Sequence, residues 1–305
     1  MLRATFIALS QSKSLRSFAE KSAIGRRLSS RFVAGLTIDD ALRATRQMNH
    51  MGLSVSVDNL GENVTNAEEA RHSAALYHQM LDEMAAQNLE ANISLKLTHM
   101  GLDVDENMAY AITSALVQHA ARINNFVRVD MEGSAYTQKT LDFVRRLHAE
   151  PGYAGRVGAV VQSYLHRSEQ DIQHLITERI RVRLCKGAYK EPPEIAFEKK
   201  SDVDANYIRL MKMLLKSGAY HGIATHDESM VRATIEFARN ENIPASAFEF
   251  QMLYGVRRDL QQKLLKDGWR CRVYIPFGTE WYPYLMRRLA ERPANAVFIL
   301  KNLFR

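Results

Sequence analysis

Eight short apolar runs, each followed by a longer amphipathic stretch, set what this chain can fold into. The runs are Leu53–Val57, Ile93–Leu97, Phe126–Met131, Val157–Val161, Val182–Lys186, Gly222–Thr225, Phe248–Leu253 and Arg272–Ile275. The stretches that alternate with them are Ala67–Gln87, Asn107–Ala121, Thr137–His148, Ser168–Glu178, Ala205–Lys216, Ser229–Asn240, Arg257–Lys266 and Glu280–Glu291. Several runs are apolar on both faces, as a strand must be when helices cover it from outside and a core fills it from within. Eight such units predict an α/β protein, a (βα)8 barrel of the TIM type, with a doubly wound open sheet as the alternative. Ahead of them, residues 37–50 read as a helix, with Thr37 as N-cap and Asp39 and Asp40 in its first turn. The expected division is a helical arm over 1–50 and a catalytic barrel domain over 51–305.

Nearly all of the net charge sits at one end. The chain carries 41 basic and 34 acidic residues, a net of +7. Residues 1–34 hold seven of the basic side chains (Arg3, Lys13, Arg16, Lys21, Arg26, Arg27 and Arg31) against Glu20 alone, so this end nets +6 and the remainder +1. A nearly neutral body argues against nucleic acid as a partner. The basic end has three readings: a helical arm packed on the domain, a segment touching anionic lipid, or a removable organellar presequence. No apolar run reaches the roughly 18 residues that a membrane-spanning helix needs. Cys185 and Cys271 are too few for a disulfide framework or a four-cysteine zinc site, and reduced thiols favour a cytoplasmic setting. There is no glycine-rich nucleotide loop, no H-E-x-x-H and no metal-spaced cluster. The triplets at Asn63 and Asn92 match the glycosylation pattern, but such triplets are common by chance.

A barrel of this type builds its active site at the C-terminal ends of the strands. Polar residues stand there on seven of the eight: Lys96; Asp130 and Glu132; Gln162; Arg183, Lys186 and Tyr189; Thr225, His226 and Asp227; Glu249 and Gln251; and Tyr274. A charge directed into a barrel is costly unless it is paired or hydrogen-bonded, so the set points to one shared polar pocket. In Tyr284-Leu285-Met286-Arg287-Arg288-Leu289-Ala290-Glu291, helical spacing places Tyr284, Arg287, Arg288 and Glu291 along one stripe. Two adjacent guanidinium groups form a fork for a carboxylate or a phosphate, and Lys96 supplies a third cation. A polar loop marked by Glu191, Pro192, Pro193 and Glu194 follows the fifth strand.

The stretches ISLKLT, VRVDMEG, VVQSY, VRLCKGAYKEPP, IATHD, FEFQMLYG and VYIPFGTEWYPYLMRRLAER, taken in order over residues 32–305, resemble the proline dehydrogenase family in its short monofunctional bacterial form. The resemblance implies a distorted barrel whose last helix lies over the mouth. It implies non-covalent FAD and oxidation of L-proline to Δ1-pyrroline-5-carboxylate, the first step of proline degradation to glutamate. Hydride would pass to flavin N5, and electrons onward to a membrane quinone. By motif, Arg287, Arg288 and Lys96 would hold the proline carboxylate, while Tyr189, Ala188, Leu253, Tyr274 and Tyr284 would shape the pocket. Asp130 would pair with the basic cluster, and Arg183 would sit near N5. Gln162, Lys186, Gly187, Ala188, Thr225, His226, Asp130, Arg288 and Glu291 would contact or position the cofactor. The sequence departs from relatives at Asp227, where many have Asn, and at Lys190, where longer bifunctional relatives have Trp. A cytoplasmic enzyme visiting the membrane surface follows. The alternatives are a Schiff-base aldolase using Lys96 or Lys186, and a non-enzymatic membrane-surface adaptor.

Overall fold

The computed structural model describes residues 22–61 and 64–291. Eight parallel strands close into a barrel in sequence order: β1 (Ser54–Asn59), β2 (Ala91–Leu95), β3 (Val127–Val129), β4 (Val157–Gln162), β5 (Arg181–Cys185), β6 (His221–Ala224), β7 (Phe248–Leu253) and β8 (Cys271–Phe277). Closure is the pairing of β1 with β8, in register from Ser54–Arg272 to Asn59–Phe277. Two helices, α1 (Ala23–Phe32) and α2 (Ile38–His50), precede the barrel. The helices that follow the strands are α3 (Ala67–Ala86), α4 (Glu106–Arg122), α5 (Ser134–Ala149), α6 (Ser168–Thr177), α7 (Lys200–Lys216), α8 (Glu228–Asn240), α9 (Arg258–Lys266) and α10 (Trp281–Glu291). The closed barrel therefore replaces the open-sheet alternative.

Local chemistry sets the helix starts. Thr37 and Asp40 form a capping box on α2, each side chain bonding the other's backbone N–H. Asn66, Asp105 and Asp227 cap α3, α4 and α8 one way only, each accepting from a backbone N–H two or three residues on. The apolar core lies between strands and helices. Val55 and Val57, Ile93 and Leu95, and Val273 and Ile275 are fully buried there, and α2 contributes Ile38, Ala41, Leu42 and Met48.

The N-terminal segment reaches the C-terminal end of the barrel. Ala34 N–H bonds Pro276 C=O at 2.9 Å, and Gly278 N–H bonds Gly35 C=O at 3.0 Å. There Val33 and Leu60 pack with Trp281, Tyr282, Tyr284, Leu285 and Met286 of α10 in a separate apolar cluster. The loop after β7 passes so close to the end of α1 that a Cβ on Gly255 would lie 1.7 Å from the Arg31 carbonyl oxygen; its φ of +73° also favours glycine. Of the basic end, residues 31–34 thus lie against the barrel mouth, and residues 1–21 lie outside the described residues.

Candidate active site

The inward side chains of the strands are polar in successive layers. Alternation along β1 sends Ser56 and Asp58 inside and Val55 and Val57 outside. At the C-terminal mouth, Lys96, one residue past β2, places Nζ 3.2 Å from Asp58 Oδ2. The Tyr274 hydroxyl of β8 lies 2.7 Å from the same oxygen and 2.9 Å from Asp130 Oδ2, just past β3. Asp130 Oδ1 accepts from Ser94 Oγ (2.8 Å) and from Arg183 (2.7 Å). Arg183, only 7% exposed, also donates to Gln251 (2.5 Å), Ser94 (3.2 Å) and Ser56 (3.1 Å). Its guanidinium sits 5.2 Å from the Tyr274 ring centroid. One arginine from β5 thus ties together β1, β2, β3 and β7.

A phenol carries one hydrogen, and Tyr274 faces two carboxylate oxygens. Both contacts are hydrogen bonds only when one carboxyl retains a proton. Asp58 suits this role: burial pushes its pKa up, Lys96 opposes that, and the Asp130 charge reinforces it. Burial, then Asp130 and Asp58, holds the Tyr274 phenol well above its ordinary value. The Tyr77 hydroxyl, 3.1 Å from Asp58 Oδ1 and 3.0 Å from the Ser94 carbonyl, buttresses the carboxyl from α3.

The second sector lies on β4 to β7. Gln162 donates to the Glu132 carbonyl at 2.8 Å. Lys186 is held by Asp204 (2.5 Å) and Asp227 (2.8 Å), with Lys200 bonded to Asp204 as well. Burial alone would raise the Asp227 pKa, but the bonds from Lys186 and Ser229 keep it well below the usual carboxylate range. Thr225 Oγ1 accepts from Asp227 N–H, and His226 Nε2 accepts from Leu253 N–H at 2.8 Å. Gly187, at φ +107°, lies against Tyr164, whose ring a Cβ would meet at 2.2 Å. The polar loop after β5 runs from 186 to 199, with Tyr189 39% exposed upon it. Glu191 anchors that loop by accepting from Ser134 N–H (2.7 Å) and Oγ (2.5 Å).

Lys96, Asp130, Arg183 and Tyr274 therefore come together, with Leu253 in register beside Tyr274. Gln162, Lys186, Gly187, Ala188, Thr225 and His226 line the adjoining strand ends. Arg287, Arg288 and Glu291 belong to α10 by their backbone, and their side chains lie outside the described residues. Tyr284, expected on their polar stripe, is 7% exposed and packs in the apolar cluster with Val33. The sequence reading missed Asp58. Its signal is the alternation Ser54-Val55-Ser56-Val57-Asp58, which puts a polar file inside the first strand.

A closed parallel barrel with a dense acid–base network at the C-terminal ends of its strands defines a (βα)8-barrel enzyme. The family model for proline dehydrogenase matches residues 41–301, and the chain belongs to that family. Proline dehydrogenase 1 of Bacillus subtilis (strain 168) is 41% identical over the full length of both chains. Proline dehydrogenase of Deinococcus radiodurans is 39% identical, covering 91% of this chain and 90% of that one. The crystal structure of proline utilization A from Bdellovibrio bacteriovorus, inactivated by N-propargylglycine, superposes with a TM-score of 0.84 at 26% identity. That match covers 90% of this chain and 34% of that protein, so the chain spans about a third of the longer molecule. The relatives of the chain's own length are monofunctional, as expected.

Proposed function

We propose that this proline dehydrogenase binds FAD non-covalently across the ends of β4 to β7, and oxidises L-proline to Δ1-pyrroline-5-carboxylate above the Lys96–Asp58–Tyr274–Asp130–Arg183 network. That network carries the reading, together with a family match over most of the chain.

The donor set suits the cofactor. Lys186, Gln162, Thr225 and His226 offer ammonium, amide, hydroxyl and imidazole groups for ring carbonyls and a diphosphate, and Gly187 lets the loop after β5 close against the Tyr164 ring. Arg183 commits four of its five N–H groups inside the barrel, which fixes its guanidinium in place. FAD, when bound, supplies the hydride acceptor. The protein's tasks are then to hold, orient and deprotonate the amino acid. Arg287, Arg288 and Lys96 grip the carboxylate, fixing the ring against the wall formed by Tyr274, Leu253 and Tyr189. The secondary ammonium must lose a proton before its neighbouring carbon can lose hydride. Asp58, linked to Asp130 through the Tyr274 hydroxyl, is in its ionised form the acceptor of that proton. Family membership displaces the aldolase and adaptor alternatives.

Electrons leave to a membrane quinone, so the enzyme works in the cytoplasm at the inner face of the cell membrane. Among the described residues no helix is long and apolar enough to cross a bilayer. The basic residues Arg3, Lys13, Arg16 and Lys21 supply the attraction to anionic lipid. Deleting residues 1–21 is expected to abolish co-sedimentation with anionic vesicles, and unchanged sedimentation would reject that role. The central test is an absorption spectrum of the purified protein. A yellow flavin spectrum bleached anaerobically by L-proline is expected; a colourless protein, or a flavin that L-proline leaves oxidised, would overturn the assignment.

A further inference from the structure

The opposite end of the barrel holds a second polar site. A cavity of about 410 Å³ opens among the N-terminal ends of the strands, and its inner end reaches Arg183, Ser56 and Gln251, the floor of the active site. Five guanidinium groups line it, those of Arg128, Arg156, Arg181, Arg183 and Arg272, against two carboxylates, Glu90 and Glu249. Arg272 is satisfied by Glu249 at 2.6 Å, and Arg183 by Asp130. The other three have no carboxylate within ion-pair distance among the described residues.

Arg128 is buried and among the described residues donates only to the main-chain carbonyls of Ala159 (2.8 Å) and Arg181 (2.6 Å). Arg181 is stacked between the rings of Phe126 and Tyr220, at 4.3 and 4.9 Å from their centroids, and its buried Nε has no hydrogen-bond partner. Arg156 stands half-buried just ahead of β4. Burial, with Arg183 and Arg181 alongside, weakens the hold of Arg128 on its proton. The chain makes room for this crowding at Gly158, where a Cβ would lie 2.3 Å from the Arg181 carbonyl oxygen and 2.7 Å from the Arg128 guanidinium. Aromatic faces and the more distant Glu249 offset part of the cost of Arg128 and Arg181, but no carboxylate among the described residues touches any of the three.

We propose that this cavity binds an oxyanion of two or more charges, a phosphoryl group either free or carried on a small molecule, between Arg128, Arg156 and Arg181. Its carrier enters past the exposed Asn88 and Asn124. A phosphoryl group fits because it accepts from several directions at once, as three guanidiniums on separate strand ends require.

Calorimetric titration of the full-length holoenzyme with inorganic phosphate, pyrophosphate and glycerol phosphate, at fixed ionic strength against sodium chloride, tests this. Saturable one-to-one binding of at least one of them is expected, weakened tenfold or more in Arg181→Met and in Arg156→Gln. The latter variant, being at the mouth, keeps the test open if the former misfolds. Tighter binding of glycerol phosphate than of phosphate would assign a carried group; the reverse would assign the free ion. The KM for L-proline should stay within twofold in Arg156→Gln, since that residue is remote from the active site. Heat signals matching chloride, or binding undiminished in every folded variant, would mean an adventitious ion only and would overturn the proposal.

Discussion

Arg183 contacts side chains from β1, β2, β3 and β7, so one residue fixes where the substrate and cofactor sectors meet. The residues above it are open to direct tests. Arg287→Met or Arg288→Met should raise the KM for L-proline by well over tenfold. Losing a charge-assisted carboxylate contact and stranding its partner costs about 2–4 kcal/mol. Steady-state kinetics showing less than a threefold change in both variants would contradict the carboxylate grip. Asp58→Asn should retain flavin yet lower kcat by at least tenfold. A carboxyl accepts a proton only when ionised, so the rate should rise with pH through the elevated Asp58 pKa, and the variant should lack that acid limb. A variant profile with the same limb would show that Asp58 only positions Lys96 and Tyr274.

At the scale of elements, the sequence pattern located all eight strands and their helices, with ends displaced by up to two residues for the strands. The displacement has a cause. Apolar runs mark burial, whereas strand limits follow pairing, so Lys96 and Lys186 fall just outside β2 and β5, and β8 continues through Pro276 to Phe277 alongside β1. Within the site, Lys96, Asp130, Arg183 and Tyr274 were legible because they are polar residues that interrupt apolar runs. Asp58 was not, since its strand reads as a short alternating segment and its partners lie 19 to 216 positions away. The docking of α1 on α10 was likewise invisible, because contacts between chain ends leave no local period. This docking carries its own prediction. Val33 is buried beside Trp281 and Leu285, so Val33→Asp strands a carboxylate against the helix that holds Arg287 and Arg288. The cost is about 1–3 kcal/mol. The KM for L-proline should rise severalfold with flavin retained, and an unchanged KM in the folded variant would show that α10 is held without α1.

The molecule as a whole is built around a charged rather than an apolar barrel interior, and this governs its response to acid. His221 begins β6, fully buried, with Nδ1 accepting from Val182 N–H at 3.0 Å and Nε2 2.9 Å from Ser217 Oγ. Burial, then Arg128 and Arg181, lowers its pKa to about 3. Burial, then Lys96, lowers that of His99 to about 4. Unfolding returns both to about 6.5, so between about 3 and 6.5 the unfolded chain binds more protons than the folded one. Stability from these groups is therefore complete above pH 6.5 and is lost as the pH falls through this window. His221 alone accounts for about 3 kcal/mol by pH 4, at roughly 1.4 kcal/mol per pH unit. Urea unfolding midpoints should fall steadily from pH 6.5 to 4. His221→Gln, less stable at neutral pH, should show a shallower fall over the same range because it has no proton to gain at that position. A variant as steeply acid-sensitive as the parent would mean that carboxylates, and not a histidine held neutral beside the arginine layer, set the acid limit of the fold.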